Sequence, residues 1–318
     1  MNHGESSKRI AVTGATGFVG RHVARRLELA GHEVVPLSRR TGTALGSPDP
    51  AALRDALKGC DAVVHCAGIN HEIGAQTYDA IHLRGTEALI EASRAAGVGH
   101  ISVLSFLRAR PDGPTAYHRT KWAAEALIRG SGIPYTVLKA GVIHGRGDHM
   151  LDHLSHALYT FPVFGLVGMR EQPVRPVAVD DVARILEAAA TGDERLRNQT
   201  MAVLGPDEMP LGDAVRRVAD TIGRHLFYVR LPILGHLALA RICEAVTRLP
   251  LISIAQVHIL AEGWSRHHLR HQSHRPTSSR KRRFPPRSSG PAFPKQAPSA
   301  SVTSAGVEHD CHRPHHGD

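Results

Sequence analysis

The sequence predicts an α/β fold whose core is a doubly wound parallel sheet. Short apolar segments alternate with amphipathic helical segments from residue 8 to about residue 145. A glycine-rich turn joins the first apolar segment to the first helical one, and helical patterns predominate after residue 145. Strands that alternate with helices favour right-handed crossovers between parallel strands. We therefore expect a Rossmann-type sheet with helices on both faces, followed by a small, mostly helical C-terminal lobe.

The individual elements follow from apolar periodicity and from end signals. An apolar run predicts the first strand at 8–13, and apolar residues three or four apart predict a helix over 18–30 that stops at Gly31. The same rules predict core strands at 33–38, 61–66, 101–105 and 135–140, and core helices at 51–58, 76–96 and 115–129. In the lobe they predict a strand at 174–179, a strand at 201–204 that returns to the sheet, and helices at 151–159, 180–190, 211–222, 231–247 and 252–262.

Composition predicts three parts: a core at 8–147, a lobe at 148–263 that returns segments to the core sheet, and a tail at 264–318. The tail contains ten Lys or Arg and three Asp or Glu, so it carries +7 of the formal +10 charge and leaves +3 for the rest. Its seven prolines and lack of apolar periodicity predict disorder. The basic run at 280–283 could contact nucleic acid or anionic lipid, but a solvated run is favoured, so no specific nucleic-acid partner is expected.

Cysteine usage and the N-terminal segment indicate a cytoplasmic protein. The four cysteines form no CxxC pair, and residues 1–8 are polar and lack the apolar segment of a signal peptide. Residues 226–260 are rich in Leu and Ile, but charged residues and two prolines interrupt them, so no spanning helix is expected. Basic residues among the apolar ones leave peripheral membrane contact open. The histidines of the tail have no ordered ligand spacing, so we expect no metal site.

Residues 13–20, Thr-Gly-Ala-Thr-Gly-Phe-Val-Gly, lie between the first predicted strand and the first predicted helix. In this setting Gly14 permits a tight turn, Gly17 lets the backbone approach a pyrophosphate, and Gly20 allows the helix to pack closely on the sheet. The positive N-terminal end of the helix favours phosphate. A tight turn without a ligand is the alternative. The predicted contacts of a dinucleotide in this segment are Gly14, Thr16, Gly17, Phe18, Val19 and Gly20.

The end of the second predicted strand, Val35-Pro-Leu-Ser38-Arg39-Arg40, bears on the choice of cofactor. A carboxylate at this place would accept hydrogen bonds from the adenosine ribose and favour NAD. Ser38 and Arg39 could instead bind a 2′-phosphate through charge-assisted hydrogen bonds. NADP is therefore the favoured cofactor and NAD the second option. Arginines that simply face solvent are the alternative.

Three residues form the predicted proton-transfer group. Tyr117 and Lys121 are four residues apart, on one face of a predicted helix, and Ser105 lies twelve residues before the tyrosine. A free tyrosine has a pKa of about 10, and a nearby ammonium lowers that pKa. Ser105 ends a predicted parallel strand, at the edge where open α/β sheets bind ligands. A surface tyrosine and lysine beside an unrelated serine is the alternative.

These motifs resemble the short-chain dehydrogenase/reductase superfamily, in particular its extended or atypical branch of NAD(P)-dependent epimerase-like and NAD(P)H-binding members. Two further segments match, Asp61-Ala-Val-Val-His-Cys-Ala-Gly68 and Arg175-Pro-Val-Ala-Val-Asp-Asp-Val182. Within that branch the chain is similar to bacterial relatives of the nucleotide-binding accessory subunit of respiratory complex I. The resemblance covers residues 8 to 262.

The resemblance implies a role for each predicted site residue. Tyr117 would be the acid/base, Lys121 would hold the nicotinamide ribose and tune Tyr117, and Ser105 would orient the substrate. Ala67 and Gly68 would pass close to the adenosine side of the cofactor. The residues that would run beside the nicotinamide are Lys139, Gly141 and Val142.

The chain also departs from the family pattern. His82 stands where members often have an asparagine that supports a proton relay. It is either a substitute relay or a packed helix residue, and packing is favoured. The segment Lys139-Ala140-Gly141 replaces a common Arg-Pro turn.

Two functions follow. The first is an NAD(P)(H)-dependent oxidoreductase or epimerase that acts on a small carbonyl or alcohol substrate, in an enzyme that could be a homo-oligomer. The second is a non-catalytic NADP(H)-binding structural or sensor protein associated with a membrane complex.

Overall fold

A parallel sheet of six strands forms the core of the protein. The structure is a computed structural model, and it describes residues 6–38, 41, 43, 45, 50–148, 163–167, 173–221, 225, 227–246 and 257. Its strands are β1 (Arg9–Thr13), β2 (Glu33–Leu37), β3 (Ala62–His65), β4 (His100–Phe106), β5 (Tyr135–Ala140) and β10 (Gln199–Val203). Their spatial order is β10-β5-β4-β3-β1-β2, and every neighbouring pair is parallel. The predicted doubly wound α/β fold is therefore confirmed.

Helices cover both faces of this sheet. They are α1 (Phe18–Leu29), α2 (Pro50–Leu57), α3 (Gly85–Ala96), α4 (Ala116–Arg129) and α5 (Val179–Thr191). On one face, Leu57 of α2, Leu89 of α3 and Ile128 of α4 are fully buried in one apolar cluster. On the other face, Leu27 of α1 and Leu186 of α5 are fully buried in a second cluster. These residues occupy the apolar stripe of each helix, which explains why periodicity located them.

The helix predicted over 76–96 begins with a π-helical segment, Asp79–Arg84, and continues as α3. A π-helical turn carries one extra residue per hydrogen-bonded ring, so it changes which side chains face the sheet. His82 lies in this segment and is buried. The α-helical periodicity of the sequence contained no signal for this local change.

The lobe combines helices with short strands. Its helices are α6 (Leu211–Thr221) and α7 (Ile233–Val246), and a 3₁₀ turn spans Glu194–Leu196. Parallel pairs form between β6 (Ile143–His144) and β9 (Val177–Ala178), and between β7 (Val163–Val167) and β12 (Phe227–Leu231). An antiparallel pair forms between β8 (Pro173–Val174) and β11 (Met209–Pro210). None of the helices that the structure describes is long and apolar enough to span a membrane.

The strand predicted over 174–179 is wrong as a single element. It divides into β8 and β9, which belong to different small sheets, and Val179 already begins α5. Pro176 lies between the two strands and has no N–H for a ladder bond, which explains the break. The helices predicted at 151–159 and 252–262, and the tail at 264–318, lie outside the described residues, apart from Val257.

Candidate functional site

The turn between β1 and α1 leaves no room for side chains at two of its glycines. Gly14 has a φ of +67°, and a Cβ there would lie 2.9 Å from the Ala67 nitrogen. A Cβ on Gly20 would overlap the carbonyl oxygen of Gly14. Both positions therefore require glycine, the first for its backbone conformation and its contact with Ala67, the second for the close approach of helix and turn. The positive φ agrees with the tight turn predicted at Gly14, whereas the contact of a pyrophosphate with this segment stays a prediction.

The N-terminus of α1 follows directly on the glycine turn and has no side-chain cap. The Gly17 N–H donates to the Gly14 carbonyl at 2.8 Å, and Gly17 caps the helix through its backbone, without a side-chain hydrogen bond. The first turn contains no acidic residue. Since the first N–H groups of a helix have no acceptor within the helix, Phe18, Val19 and Gly20 present donors and the positive helix end. The arrangement suits a phosphate group.

The end of β2 provides the second predicted part of a nucleotide site. Ser38 is buried, its N–H donates to the Thr41 hydroxyl at 2.9 Å, and that hydroxyl in turn donates to the Ser38 carbonyl. Arg39 lies outside the described residues. The role of these two residues in choosing between NADP and NAD stays a prediction.

A buried hydrogen-bond chain connects the glycine turn to the helix at His82. The Thr86 hydroxyl donates to the His82 carbonyl at 2.6 Å, so it accepts from His65 Nε2 at 3.2 Å. His65 Nδ1 then accepts from the Thr13 hydroxyl at 2.7 Å, and the Thr13 oxygen accepts from the Ala67 N–H at 3.1 Å. Burial, and secondly Lys121, lowers the pKa of His65 to about 3, so the imidazole is neutral. Sequence reasoning assigned His65 no role.

His82 uses both of its ring nitrogens for structure. Nε2 accepts from the Ile69 N–H at 3.2 Å, so Nδ1 carries the proton and donates to the Thr120 hydroxyl at 3.0 Å. Burial, followed by the charge of Lys121, lowers the pKa of His82 to about 2. A neutral imidazole with both nitrogens bonded has no free atom for a relay. These contacts support the packed alternative for His82.

Tyr117 and Lys121 lie at the end of the sheet that carries the glycine turn. Tyr117 is 8% exposed, and its ring packs against Phe106 and Tyr78 with centroids 5.3 and 5.8 Å away. The Lys121 ammonium donates to the Leu104 carbonyl at 3.2 Å. A Cβ on Gly68 would lie 3.2 Å from Lys121 Nζ. Because Gly68 follows the residue that contacts Gly14, the lysine is close to the glycine turn.

The pKa of Tyr117 shifts in the opposite direction to the one expected. Burial, and then the neighbouring Tyr78, raises the pKa of Tyr117 above its ordinary value. The pKa of Lys121 is lowered to about 8 by burial, which Glu125 and Cys66 partly oppose. The phenol therefore keeps its proton near neutral pH, whereas the ammonium can lose its proton just above neutrality.

Ser105 is hydrogen bonded to a residue that the sequence analysis missed. Its hydroxyl donates to Glu125 Oε1 at 2.5 Å, in a site where Glu125 is also within 3.3 Å of Lys139 Nζ and 3.1 Å of Arg129. Lys139 further donates to the Ala109 carbonyl at 2.9 Å. Since Ser105 gives its hydrogen to Glu125, only its oxygen lone pairs are free towards a ligand. Glu125 follows Lys121 by four residues, and this spacing on one helix face was the available signal.

Of the residues predicted beside the nicotinamide, Lys139 and Val142 contact the proton-transfer region by different routes. The Lys139 ammonium points to Glu125, and Ser105 and Lys139 are neighbours across β4 and β5. Val142 packs against the cluster that contains Tyr117. Gly141 is half-buried between them.

A small cavity beside Lys121 is lined by His65, Ala67, His82, Thr86, Val103, Leu104, Ser105, Lys121 and Ala124. Among the described residues, no group of three or more His, Cys, Asp or Glu could hold a metal ion.

Comparisons with known proteins agree with this architecture. A sequence profile of the NAD dependent epimerase/dehydratase family matches residues 10–205. The fold resembles that of the NADPH-dependent quinone oxidoreductase QOR2 of Escherichia coli, solved with NADPH, at a TM-score of 0.60 and 20% identity. That alignment covers 80% of this chain and 89% of the other.

Three relatives are similar in sequence. The chain is 30% identical over 234 residues to the (4-alkanoyl-5-oxo-2,5-dihydrofuran-3-yl)methyl phosphate reductase of Streptomyces griseus, with 70% of this chain and 77% of that protein covered. It is 25% identical over 239 residues to the mitochondrial NADH dehydrogenase (ubiquinone) 1 alpha subcomplex subunit 9 of Arabidopsis thaliana, with 70% and 60% covered. It is 26% identical over 265 residues to an uncharacterised protein of Mycobacterium tuberculosis, with 80% of this chain but only 28% of that protein covered.

Proposed function

The chain belongs to the NAD-dependent epimerase/dehydratase family, and we propose that it is an NADP(H)-dependent oxidoreductase or epimerase that acts on a carbonyl or alcohol substrate. The observation that carries this proposal is the position of Lys121 against Gly68, with Tyr117 packed on Phe106 at the end of β4, so both side chains lie at the end of the sheet that holds the glycine turn. The Streptomyces relative is named as a reductase, which favours the same reaction class.

The residues present fit a dinucleotide. Gly14 and Gly20 carry no side chain at two crowded positions of the turn, and the start of α1, which no side chain caps, offers amide donors to a pyrophosphate. Lys121 is the proposed contact of the ribose near the reacting end. When bound, the nicotinamide supplies the hydride chemistry. The remaining proposed contacts are Thr16, Gly17, Phe18, Val19, Ser38, Arg39, Ala67, Gly68, Tyr117, Lys139, Gly141 and Val142.

Tyr117 is the proposed proton donor. Its raised pKa keeps the phenol protonated near neutral pH, so it can donate to a developing alkoxide as a carbonyl is reduced. The reverse reaction requires a phenolate, which a charged Lys121 stabilises. Since the Ser105 hydroxyl donates to Glu125, Ser105 contributes an acceptor rather than a donor to the substrate. Of these two hydroxyls, Tyr117 is therefore the proposed donor to the carbonyl oxygen in reduction.

NADP is the proposed cofactor. The end of β2 carries no carboxylate in residues 35–40, and Ser38 and Arg39 offer a hydroxyl and a cation for a 2′-phosphate. Solved structures of similar fold hold NADPH in some cases and NAD in others, so NAD remains the second option. The core at 8–147 would bind this cofactor and the lobe at 148–263 a small-molecule substrate, while a cytoplasmic location and a homo-oligomeric state stay predictions.

Turnover of NADPH with a panel of carbonyl compounds tests the proposal. Tyr117→Phe should lower turnover about 10²- to 10⁴-fold while NADPH binding stays within a few-fold, because only the transferred proton is lost. Tyr135→Phe is the matched control, since Tyr135 begins β5 at the opposite end of the sheet. NADPH binding without oxidation of any compound, unchanged by Tyr117→Phe, would rule out the enzymatic function.

A second function is supported by specific contacts. His82 and Ser105 both give their hydrogens to structural partners. These features suit a protein that binds NADP(H) without turnover, as a structural or sensor subunit. The similarity to a mitochondrial complex I subunit favours association with a membrane complex. Native mass spectrometry that finds a retained nucleotide, in protein with no turnover, would select this function over the first.

A further inference from the structure

A cluster of apolar side chains surrounds Tyr117. Its buried members are Tyr78, Phe106, Ala109, Tyr117 and Val174. Val174 belongs to β8 of the lobe, whereas Phe106 ends β4 of the sheet. Side chains of the core and of the lobe therefore meet around the phenol that is the proposed proton donor.

Half-buried apolar side chains extend this cluster. Among the residues that the structure describes, seven of them pack against it. The core contributes Ile69, Leu107, Trp122 and Val142, and the lobe contributes Met209, Leu211 and Ala214. We call these seven residues the apolar rim. Each keeps part of its surface in contact with water, so an apolar group of a substrate that covers them gains binding free energy.

Several polar groups beside Tyr117 are already directed to partners within the protein. The Tyr78 hydroxyl donates to a backbone carbonyl at 2.8 Å, and the Ser105 hydroxyl donates to Glu125 at 2.5 Å. The His82 ring lies 5.8 Å from the Tyr117 ring, and both of its nitrogens are hydrogen bonded. A substrate with several hydroxyls would lose hydrogen bonds to water here and gain few in return, which disfavours its binding.

We propose that the substrate is a carbonyl compound with an apolar chain or ring beside the reacting carbon, rather than a polyhydroxylated carbonyl compound such as a sugar. This inference rests on the proposed function of Tyr117 as the proton donor. In reduction, the carbonyl carbon takes a hydride from NADPH and the carbonyl oxygen takes the proton of Tyr117, so the products are an alcohol and NADP⁺. Water then returns a proton to Tyr117. The apolar rim contacts the chain or ring of the substrate.

The oxidation of NADPH by a series of methyl ketones tests the inference. From 2-butanone to 2-octanone, kcat/KM should rise about two- to fourfold for each added methylene, because each methylene leaves water for the apolar rim. Erythrulose, the trihydroxylated form of 2-butanone, represents the sugars. Its kcat/KM should be at least about tenfold below that of 2-octanone.

A substitution in the apolar rim locates the effect. Met209→Gln keeps the length of the side chain but adds a polar amide, so it should lower kcat/KM for 2-octanone about tenfold, mainly through KM. The value for 2-butanone should change little, because the shorter ketone has less chain to contact the rim. Met201→Gln is the matched control: Met201 is also half-buried, but it packs against the second apolar cluster, with α1 and α5. It should react like the unmodified protein, and thermal melting verifies that both variants fold.

Ligand binding is measured separately from turnover. The chain has two tryptophans, so in a Trp264→Phe background the tryptophan emission reports on Trp122 of the apolar rim. In the presence of NADP⁺, 2-octanone should change this emission at a concentration at least about tenfold lower than erythrulose does.

These measurements distinguish the substrate class from the proposed reaction. If kcat/KM does not rise with chain length, or if erythrulose reacts as well as 2-octanone, the apolar substrate class is wrong and the proposed reduction still stands. If no carbonyl compound is reduced but 2-octanone binds in preference to erythrulose, the reductase function is wrong and the apolar ligand class is supported. Absence of both turnover and binding overturns the inference, as does a loss of activity in Met201→Gln equal to that in Met209→Gln.

Discussion

Replacing Glu125 with glutamine should destabilise the protein by roughly 3–5 kcal/mol, the cost of removing one partner from a buried ion pair. Glu125 and Lys139 have side chains only 1% and 4% exposed, with Nζ 3.3 Å from Oε1. Glutamine keeps the shape and accepts the Ser105 hydrogen bond, but it leaves the Lys139 cation without its carboxylate. The loss is therefore one of charge compensation rather than of packing.

The burial of the pair decides the magnitude. Water does not reach either charge, so solvent screening, which reduces exposed pairs to about 1 kcal/mol or less, does not apply. Arg129 also loses its carboxylate, but it is partly exposed and adds little. Since burial already lowers the pKa of Lys139, the variant should recover stability as the pH rises and the ammonium loses its proton.

Urea unfolding followed by tryptophan fluorescence measures this change. Glu125→Gln should shift the midpoint strongly, and Glu125→Gln with Lys139→Met should recover most of the loss, because Lys139 then no longer leaves an uncompensated cation at this position. Asp55→Asn removes the exposed contact with Lys58 and should have no measurable effect. The reasoning is refuted if Glu125→Gln is as stable as Asp55→Asn, or if the double variant is no more stable than Glu125→Gln alone.

Three further predictions concern the glycine turn, the strand before the site and the buried histidine. Gly20→Ala should abolish NADPH binding in a fluorescence titration because its Cβ would overlap the Gly14 carbonyl, whereas Gly235→Ala, with open space around it, should bind normally. Ser105→Ala should lower the free energy of unfolding by about 1.5–3 kcal/mol through loss of a hydrogen bond to a charged group, while Ser102→Ala removes a buried hydroxyl without a partner and should not destabilise. The pKa of a histidine is about 6.5 in the unfolded chain, whereas burial lowers the pKa of folded His82 to about 2. Below pH 6.5 only the unfolded state takes up this proton, so the free energy of unfolding should decrease as the pH falls below 6.5. His82→Gln should flatten that decline in urea midpoints measured against pH, and an unchanged slope would contradict the assignment.

Local sequence patterns were sufficient for the elements of the core. The apolar runs at β1 and β3 and the helical spacing in α1 and α5 located these elements to within about two residues, the usual uncertainty of helix ends. Each pattern is set by burial of one face against the sheet, so the neighbours of a residue along the chain contain the signal. The strand pairing of the lobe could not be predicted in this way. Strands β7 and β12 pair in parallel although more than sixty residues separate them along the chain, and no local pattern indicates which strand pairs with which.

The candidate site likewise contains residues that local patterns predict and contacts that they do not predict. Gly14, Gly20, Tyr117 and Lys121 follow from spacing along the chain, because a turn and one helix face are local structures. The hydrogen bond from Ser105 to Glu125 depends on how α4 lies over β4, so it could not be derived from the distance of twelve residues between Ser105 and Tyr117. The buried chain through His65 and the raised pKa of Tyr117 likewise depend on groups contributed by separate elements.

The sequence by itself therefore predicted the parallel sheet, through short-range periodicity, and the family, through the resemblance of its motifs, and it put Tyr117 and Lys121 on one helix face through their spacing. Only the tertiary structure decided which hydroxyl and imidazole hydrogens are already used, and in which direction burial moves each pKa. Both depend on the polar partners and on the exclusion of water around a side chain, and folding brings these together from distant parts of the chain.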